Sequence, residues 1–236
     1  MSIEDNVKQV FENINAASRR AGVDPESVSL CAATKMNTAD KVREAISAGV
    51  KICGENRVQE LCEKYEQGAY EGAHLHFIGH LQKNKVRHVV GKAELIHSVD
   101  SYELAREIDK RASALGIVQD ILIEVNIGEE EAKSGVFAGE LESLIEQIAG
   151  FGHIRLLGLM AIPPICASAE ENRIYFRKMR KLFVDIEQKK YDNSNVCMQV
   201  LSMGMSADYE VAVEEGANLV RVGTSIFGAR AYNLTV

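Results

Sequence analysis

The chain has 236 residues and a net charge of -7, with both signs interspersed and no lysine- or arginine-rich block, which argues against a nucleic-acid or anionic-membrane surface. No stretch approaches the roughly 18 consecutive apolar residues of a membrane span, and the polar, amphipathic start MSIEDNVKQVFENINAASRR is unlike a signal peptide. A cytoplasmic protein with neither a nucleic-acid nor a membrane partner is therefore expected.

Apolar positions at helical spacing (Ile3, Val7, Val10, Phe11, Ile14, Ala17) predict a leading helix over 3–21, opened by Ser2 with Asp5 in capping-box spacing and closed at Gly22. The apolar run 28–33 ends in Thr34-Lys35, and a helix starts near Thr38 and stops at Gly49. Strand followed by helix then repeats. Residues 50–53 end in Gly54-Glu55-Asn56 before a helix over 57–66, and 75–78 end in Gly79-His80-Leu81-Gln82 before a basic helix from Asn84. Residues 95–99 lead into a helix through Leu115, with Asp100 and Glu103 in capping-box spacing. A strong strand at 121–127 precedes the loop 128–135 and a helix over 138–149. A strand at 156–161, the break Pro163-Pro164 and a long helix over 169–189 follow.

The stretch 201–230 closes the pattern. The run 196–201 stops at a glycine-containing turn, Ser202 to Ser206, with Ser206 as N-cap and Asp208 in the first turn of a short helix. The run 218–222 stops at a second turn, Gly223-Thr224-Ser225. Eight short strands separated by seven helical patterns, behind one extra N-terminal helix and with no linker between them, predict an α/β fold. The expected architecture is a (β/α)8 TIM barrel forming one domain over 1–236, with a doubly wound open sheet as the alternative.

A barrel gathers function at the C-terminal ends of its strands. There stand Lys35, Asn56, His80, Ser98, Asp100, Asn126, Met160, Ser202, Ser206, Arg221, Gly223 and Thr224. The two hydroxyl- and N–H-rich loops after the last strands can hold a phosphate dianion, with Arg221 as a fixed positive charge nearby. A lysine at the end of an apolar strand, once buried, has a lowered pKa and becomes nucleophilic toward aldehydes. In a closed barrel the first strand adjoins the last. Lys35 next to a phosphate cup thus suggests an aldehyde-bearing phosphate ligand, of which pyridoxal 5'-phosphate (PLP) is the common one.

Other chemistries find little support. Five widely spaced cysteines (Cys31, Cys53, Cys62, Cys166, Cys197) are an odd number and read as reduced, mostly buried thiols. No metal-ligand spacing, dinucleotide fingerprint, P-loop or serine-hydrolase elbow occurs. His80 reads as a solvent-facing or spacer histidine sooner than a proton shuttle, and Lys83, Lys85, Arg87 and His88 read as a solvated basic face.

The motifs Ala33-Thr34-Lys35, Gly54-Glu55-Asn56 with Val58-Gln59-Glu60, His76 to Gln82 with Asn84-Lys85, Lys133-Ser134-Gly135, Gly158-Leu159-Met160, Leu201 to Ser206, and Arg221-Val222-Gly223-Thr224 with Ile226-Phe227-Gly228 carry a family resemblance over essentially the whole chain. The sequence resembles the YggS/PROSC family of PLP homeostasis proteins, which have the alanine racemase-like, fold type III barrel. Departures are small: Thr34 stands where serine is more usual, and Pro163-Pro164 follows the sixth strand.

The resemblance implies that Lys35 carries the cofactor as a Schiff base and that Ser206, Gly223 and Thr224 bind its phosphate. It further implies that Asn56 lies by the ring hydroxyl and that Arg221 faces the ring nitrogen. Arginine can donate to that nitrogen but cannot help to keep it protonated. The implied role is intracellular vitamin B6 homeostasis and amino/keto-acid balance with little or no catalysis, PLP-dependent apoenzymes being possible cofactor recipients. Racemases of this fold carry a further C-terminal β-domain, for which a chain ending at Val236 leaves no room. An open site and a monomer are accordingly expected. The alternatives are a PLP-dependent amino-acid racemase, and a barrel that holds another phosphorylated metabolite without a Schiff base.

Overall fold

The computed structural model of the protein describes residues 2–189, 191 and 195–228; Ala229 and Arg230, the end of the stretch 201–230, lie outside the described residues. Helix α1 (Ile3–Ala21) forms as its sequence predicts. Ser2 Oγ accepts from the Asp5 N–H, the Asp5 carboxylate accepts from the Ser2 N–H, and Gly22 closes the helix at φ 71°.

Eight strands follow: β1 (Ser29–Ala33), β2 (Ile52–Glu55), β3 (His74–Phe77), β4 (Leu95–Val99), β5 (Gln119–Val125), β6 (Ile154–Ala161), β7 (Val196–Met205) and β8 (Leu219–Val222). Each pairs in parallel with the next, and β8 pairs with β1, which closes the barrel and excludes the open sheet. The helices between them are α2 (Ala39–Ser47), α3 (Val58–Glu66), α4 (Tyr102–Leu115), α5 (Leu141–Ile148), α6 (Arg173–Gln188) and α7 (Tyr209–Glu214), with a single turn, α8 (Thr224–Phe227), after β8.

Four local expectations change. The basic segment after β3 is a 3-10 helix, Lys83–His88, not an α-helix. The Asp100/Glu103 capping box does not form: Ser101 is the N-cap of α4, without a side-chain cap bond, and its Oγ donates to Asp100 Oδ1 at 3.2 Å. Strand β7 runs through the residues read as a turn and ends at Met205.

The fourth change follows from that longer strand. Its end is set by Gly204, at φ 89°, where an added Cβ would lie 2.5 Å from Ala212 Cβ and 2.9 Å from Tyr209 Cα. The buried Asp208 accepts from Met205 N at 2.6 Å and from Asn172 Nδ2 at 2.7 Å. It therefore holds the turn, and Asp208, not Ser206, is the N-cap residue of α7.

The outer core, between sheet and helices, is one large apolar cluster that includes Val7, Val10 and Ile14 of α1. Side chains of this kind each stabilise the fold by about 1.5–3 kcal/mol when fully buried. Inside the barrel the apolar clusters are small: Cys31, Ala33, Ile78 and Leu219, and Leu95, Leu122 and Met160. Polar side chains, among them His76, His97, Ser202 and Arg221, are buried as well. All five cysteines are free thiols, but only Cys31 and Cys53 are buried, fewer than expected.

Candidate functional site

At the C-terminal ends of the strands a cavity of about 270 Å³ is lined by Lys35, Asn56, Ser206, Arg221, Gly223 and Thr224, together with Ala33, Ile78, Ile162, Met205 and Ala207. All six residues singled out from the sequence thus meet in one place. Barrel closure explains this, since it sets Cys31 beside Arg221 across the β1–β8 pair and Met205 beside Arg221 across β7–β8.

The two last loops are tied together by Ser206. Its Oγ accepts from the Gly223 N–H at 3.0 Å and the Ser225 N–H at 3.5 Å, while Ser225 Oγ donates to Ser206 O at 3.4 Å. Two residues beyond β3, Gly79 lets the chain pass against the Asn56 main chain, because a Cβ there would lie 2.1 Å from Asn56 O. Asn56 Oδ1 is buried without a hydrogen-bond partner among the described residues. An orphaned acceptor on the wall of a cavity is suited to a ligand hydroxyl.

Arg221 is only 4% exposed. Its Nη1 donates to Ser202 Oγ at 2.6 Å and its Nη2 to Ala161 O at 2.9 Å. It forms no ion pair with a carboxylate among the described residues, and burial pulls its pKa below the ordinary arginine value, with Glu124 and Asp208 acting the other way from a distance. An arginine nevertheless stays a cation, so this one brings to the cavity a positive charge with no directly bonded carboxylate among the described residues.

Behind Arg221 a polar chain crosses the barrel. Ser202 Oγ lies 3.1 Å from His97 Nδ1, and His97 Nε2 lies 3.0 Å from His76 Nδ1. Arginine can only donate, so the Ser202 hydroxyl is free to donate to His97 Nδ1. In that arrangement His97 carries its proton on Nε2 and gives it to His76 Nδ1. Burial keeps both rings neutral: His76 is lowered to about 3, and His97 is pushed well below the usual imidazole value.

Lys35 sits two residues beyond β1, half-buried. Its main-chain neighbours are held closely. The Thr34 N–H donates to Gly54 O at 2.9 Å, Lys64 Nζ to Thr34 O at 2.8 Å, Asn37 Nδ2 to Lys35 O at 3.1 Å, and the Met36 N–H to Glu60 Oε2 at 2.6 Å. Met36 has φ 60°, the left-handed region that costs a non-glycine residue about 1–3 kcal/mol. Beneath this segment Glu55 Oε1 receives Lys64 Nζ at 2.6 Å, Thr34 Oγ1 at 2.6 Å and Tyr70 Oη at 3.1 Å.

The remaining strand-end residues stay out of the cavity lining. His80 is 57% exposed and stands 3.9 Å from Asp100. Asn126 bonds within its own loop to Glu130, Met160 belongs to an interior apolar cluster, and Ser98 is buried. Sequence reasoning missed His76, His97, Glu55 and Lys64 as members of the networks around the site. A polar residue inside an apolar strand, as in HLHF or LIHSV, was the available signal.

Residues 6–231 match the family described as alanine racemase, N-terminal domain. The chain is 46% identical, over 98% of its own length and all of the other, to a pyridoxal phosphate homeostasis protein of Aquifex aeolicus. Among solved structures it superposes with TM-score 0.78 on PipY of Synechococcus elongatus with PLP bound, at 34% identity over 93% of this chain and 100% of that one. Alanine racemase of Clostridium difficile shares the fold at TM-score 0.69 and 17% identity, the match covering 97% of this chain and 58% of the racemase. The chain belongs to the family of pyridoxal phosphate homeostasis proteins, built on the alanine racemase N-terminal barrel.

Proposed function

We propose that the whole chain is one PLP-binding domain, acting in the cytoplasm as a monomer in PLP homeostasis and in amino/keto-acid balance, with PLP-dependent apoenzymes as recipients of the cofactor. One observation carries the reading: a lysine, an arginine without a carboxylate partner and two serine- and glycine-containing loops line the same cavity. The residues present fit the group. The relatives' name and the PLP found in PipY support it.

In this reading Lys35 would hold the cofactor through its amine, as a Schiff base. The loops that carry Ser206, Gly223 and Thr224 would take the phosphate, Asn56 Oδ1 would accept from the ring hydroxyl, and the Arg221 guanidinium would donate to the ring nitrogen. When bound, the cofactor supplies a reactive carbonyl carbon. Arg221 cannot pass a proton to the nitrogen, so electron withdrawal through the ring would stay weak, and any carbanion chemistry would depend on separately placed acids and bases. Of the eleven lining residues, Lys35 is the one with a primary amine.

The test is an absorption spectrum of the PLP-loaded protein before and after borohydride reduction, followed by peptide mapping. A band that collapses on reduction, with the pyridoxyl group on the peptide holding Lys35, is the expected result. No adduct in the wild type, or equal attachment in Lys35→Ala, would overturn the reading.

A further inference from the structure

The loop that carries Lys35 is bonded to one helix face to a degree that chain connectivity alone does not require. Glu60 and Lys64 lie four residues apart on α3 and both reach across to the end of β1. Glu60 Oε2 takes the Met36 N–H at 2.6 Å, and Lys64 Nζ binds Thr34 O at 2.8 Å. The main chain is therefore gripped on each side of Lys35, and Met36 is held in a left-handed conformation that its exposed side chain does nothing to favour. The grip has a stable base, because Lys64 is itself bonded to the fully buried Glu55 and lies 3.5 Å from Glu60 Oε2.

We propose that Glu60 is a positioning residue for Lys35: by holding the Met36 N–H, with Lys64 holding Thr34 O, it fixes the main chain from which the Lys35 amine reaches the cofactor carbonyl. The proposal rests on the PLP reading of the cavity. Its physical basis is the distance along the chain between the two halves of the site. The phosphate loops sit on β7 and β8, the amine on the β1 loop, and loops wander more than the strands they follow. A lysine has four rotors, and freedom in its Cα position compounds theirs. Misplacement of a reacting group by about 1 Å can cost on the order of 100-fold in rate. A carboxylate on a packed helix is a rigid point from which to remove that freedom.

The experiment compares wild type, Glu60→Ala, Glu60→Gln and Arg57→Ala. Two readouts are taken on each variant, with thermal unfolding as the check on folding. The first is the rate at which added PLP becomes borohydride-reducible adduct on the Lys35 peptide. The second is the affinity for pyridoxamine 5'-phosphate, which offers the same ring and phosphate but no aldehyde. Glu60→Ala is expected to slow adduct formation by about tenfold or more, with pyridoxamine phosphate affinity within about twofold of wild type. Glu60→Gln should restore most of the rate, since an amide oxygen can accept from the Met36 N–H. Arg57→Ala removes only the surface partner 3.6 Å from Glu60 Oε1 and should match wild type.

An unchanged rate in Glu60→Ala overturns the inference, as does an equal fall in pyridoxamine phosphate affinity, which would mark general damage to the cavity. No rescue in Glu60→Gln also overturns it. Absence of adduct in the wild type is a separate result, which removes the PLP reading itself.

Discussion

Two buried polar networks flank the cavity, and they differ in how they treat charge. One lies between the barrel and α3, where Glu55, Lys64, Thr34, Tyr70 and Glu60 meet. It pairs a buried carboxylate with a buried ammonium, and each makes a further bond to Thr34 beside Lys35. The other runs through the barrel from Arg221 by way of Ser202 and His97 to His76. Its histidines are neutral, so its single positive charge, at the cavity end, has no carboxylate bonded to it. The first network holds the main chain, while the second leaves a cation without a bonded carboxylate at the cavity wall. Breaking each should injure a different property.

The largest expected effect is in the first network. Lys64→Met leaves Glu55, 0% exposed at its side chain, as a buried anion without its counter-ion, which costs about 3–5 kcal/mol. Chemical denaturation should show that loss, and adding Glu55→Gln should recover part of it, because a neutral amide replaces the stranded charge. Arg221→Met has the opposite profile. It removes two hydrogen bonds but also a desolvated cation, so stability should fall by no more than about 2 kcal/mol while PLP retention collapses. Equal stability losses in the two variants would erase the distinction.

Acid should strike the second network. His76 and His97 have folded pKa values below their unfolded ones, so their neutral burial is fully tolerated above about pH 6.5. Stability is lost as pH falls from there toward the folded value, about 3 for His76, because the unfolded state takes up the protons first. The loss amounts to at most about 2 kcal/mol per histidine between pH 7 and pH 5. Glu124 works against it, since burial raises its folded pKa and so favours the native state as pH drops toward the ordinary carboxylate range. The gap between denaturation midpoints at pH 7 and pH 5 should narrow in His97→Asn, with the His76 share remaining, and an unchanged gap would rule His97 out as a cause.

The contrast between the networks also explains what could be read from the sequence. The barrel was legible because the strands show as short apolar runs, most of them ending at a glycine or a hydroxyl and the sixth at a proline pair. Barrel closure brought twelve strand-end residues into view whatever their separation along the chain, and the family resemblance narrowed them to the six that line the cavity. Element ends set by single side chains were not legible. β7 extends to Met205 and α7 begins late because Asp208 bonds back to Met205 N and across to Asn172, contacts that no periodicity encodes. His97 and Ser202 touch from β4 and β7, strands that are not neighbours, 105 residues apart. That proximity exists only after closure.

The smallest effect tests whether the interior chain is one directed unit. Ser202→Ala removes the hydroxyl that accepts from Arg221 Nη1 and lies against His97 Nδ1, at a cost of about 1–2 kcal/mol. The informative readout is the imidazole nitrogen spectrum. With the serine present, His97 should carry its proton on Nε2, because Nδ1 is wanted as an acceptor and His76 Nδ1 faces the other nitrogen. Without it nothing fixes that choice, and His97 should show mixed tautomers while His76 stays neutral. Arg221 keeps its bond to Ala161 O, so PLP retention should drop only modestly. A single unchanged tautomer in the variant would mean that His76 alone orients His97, and that the charge at the cavity and the histidines beneath it are two neighbours instead of one chain.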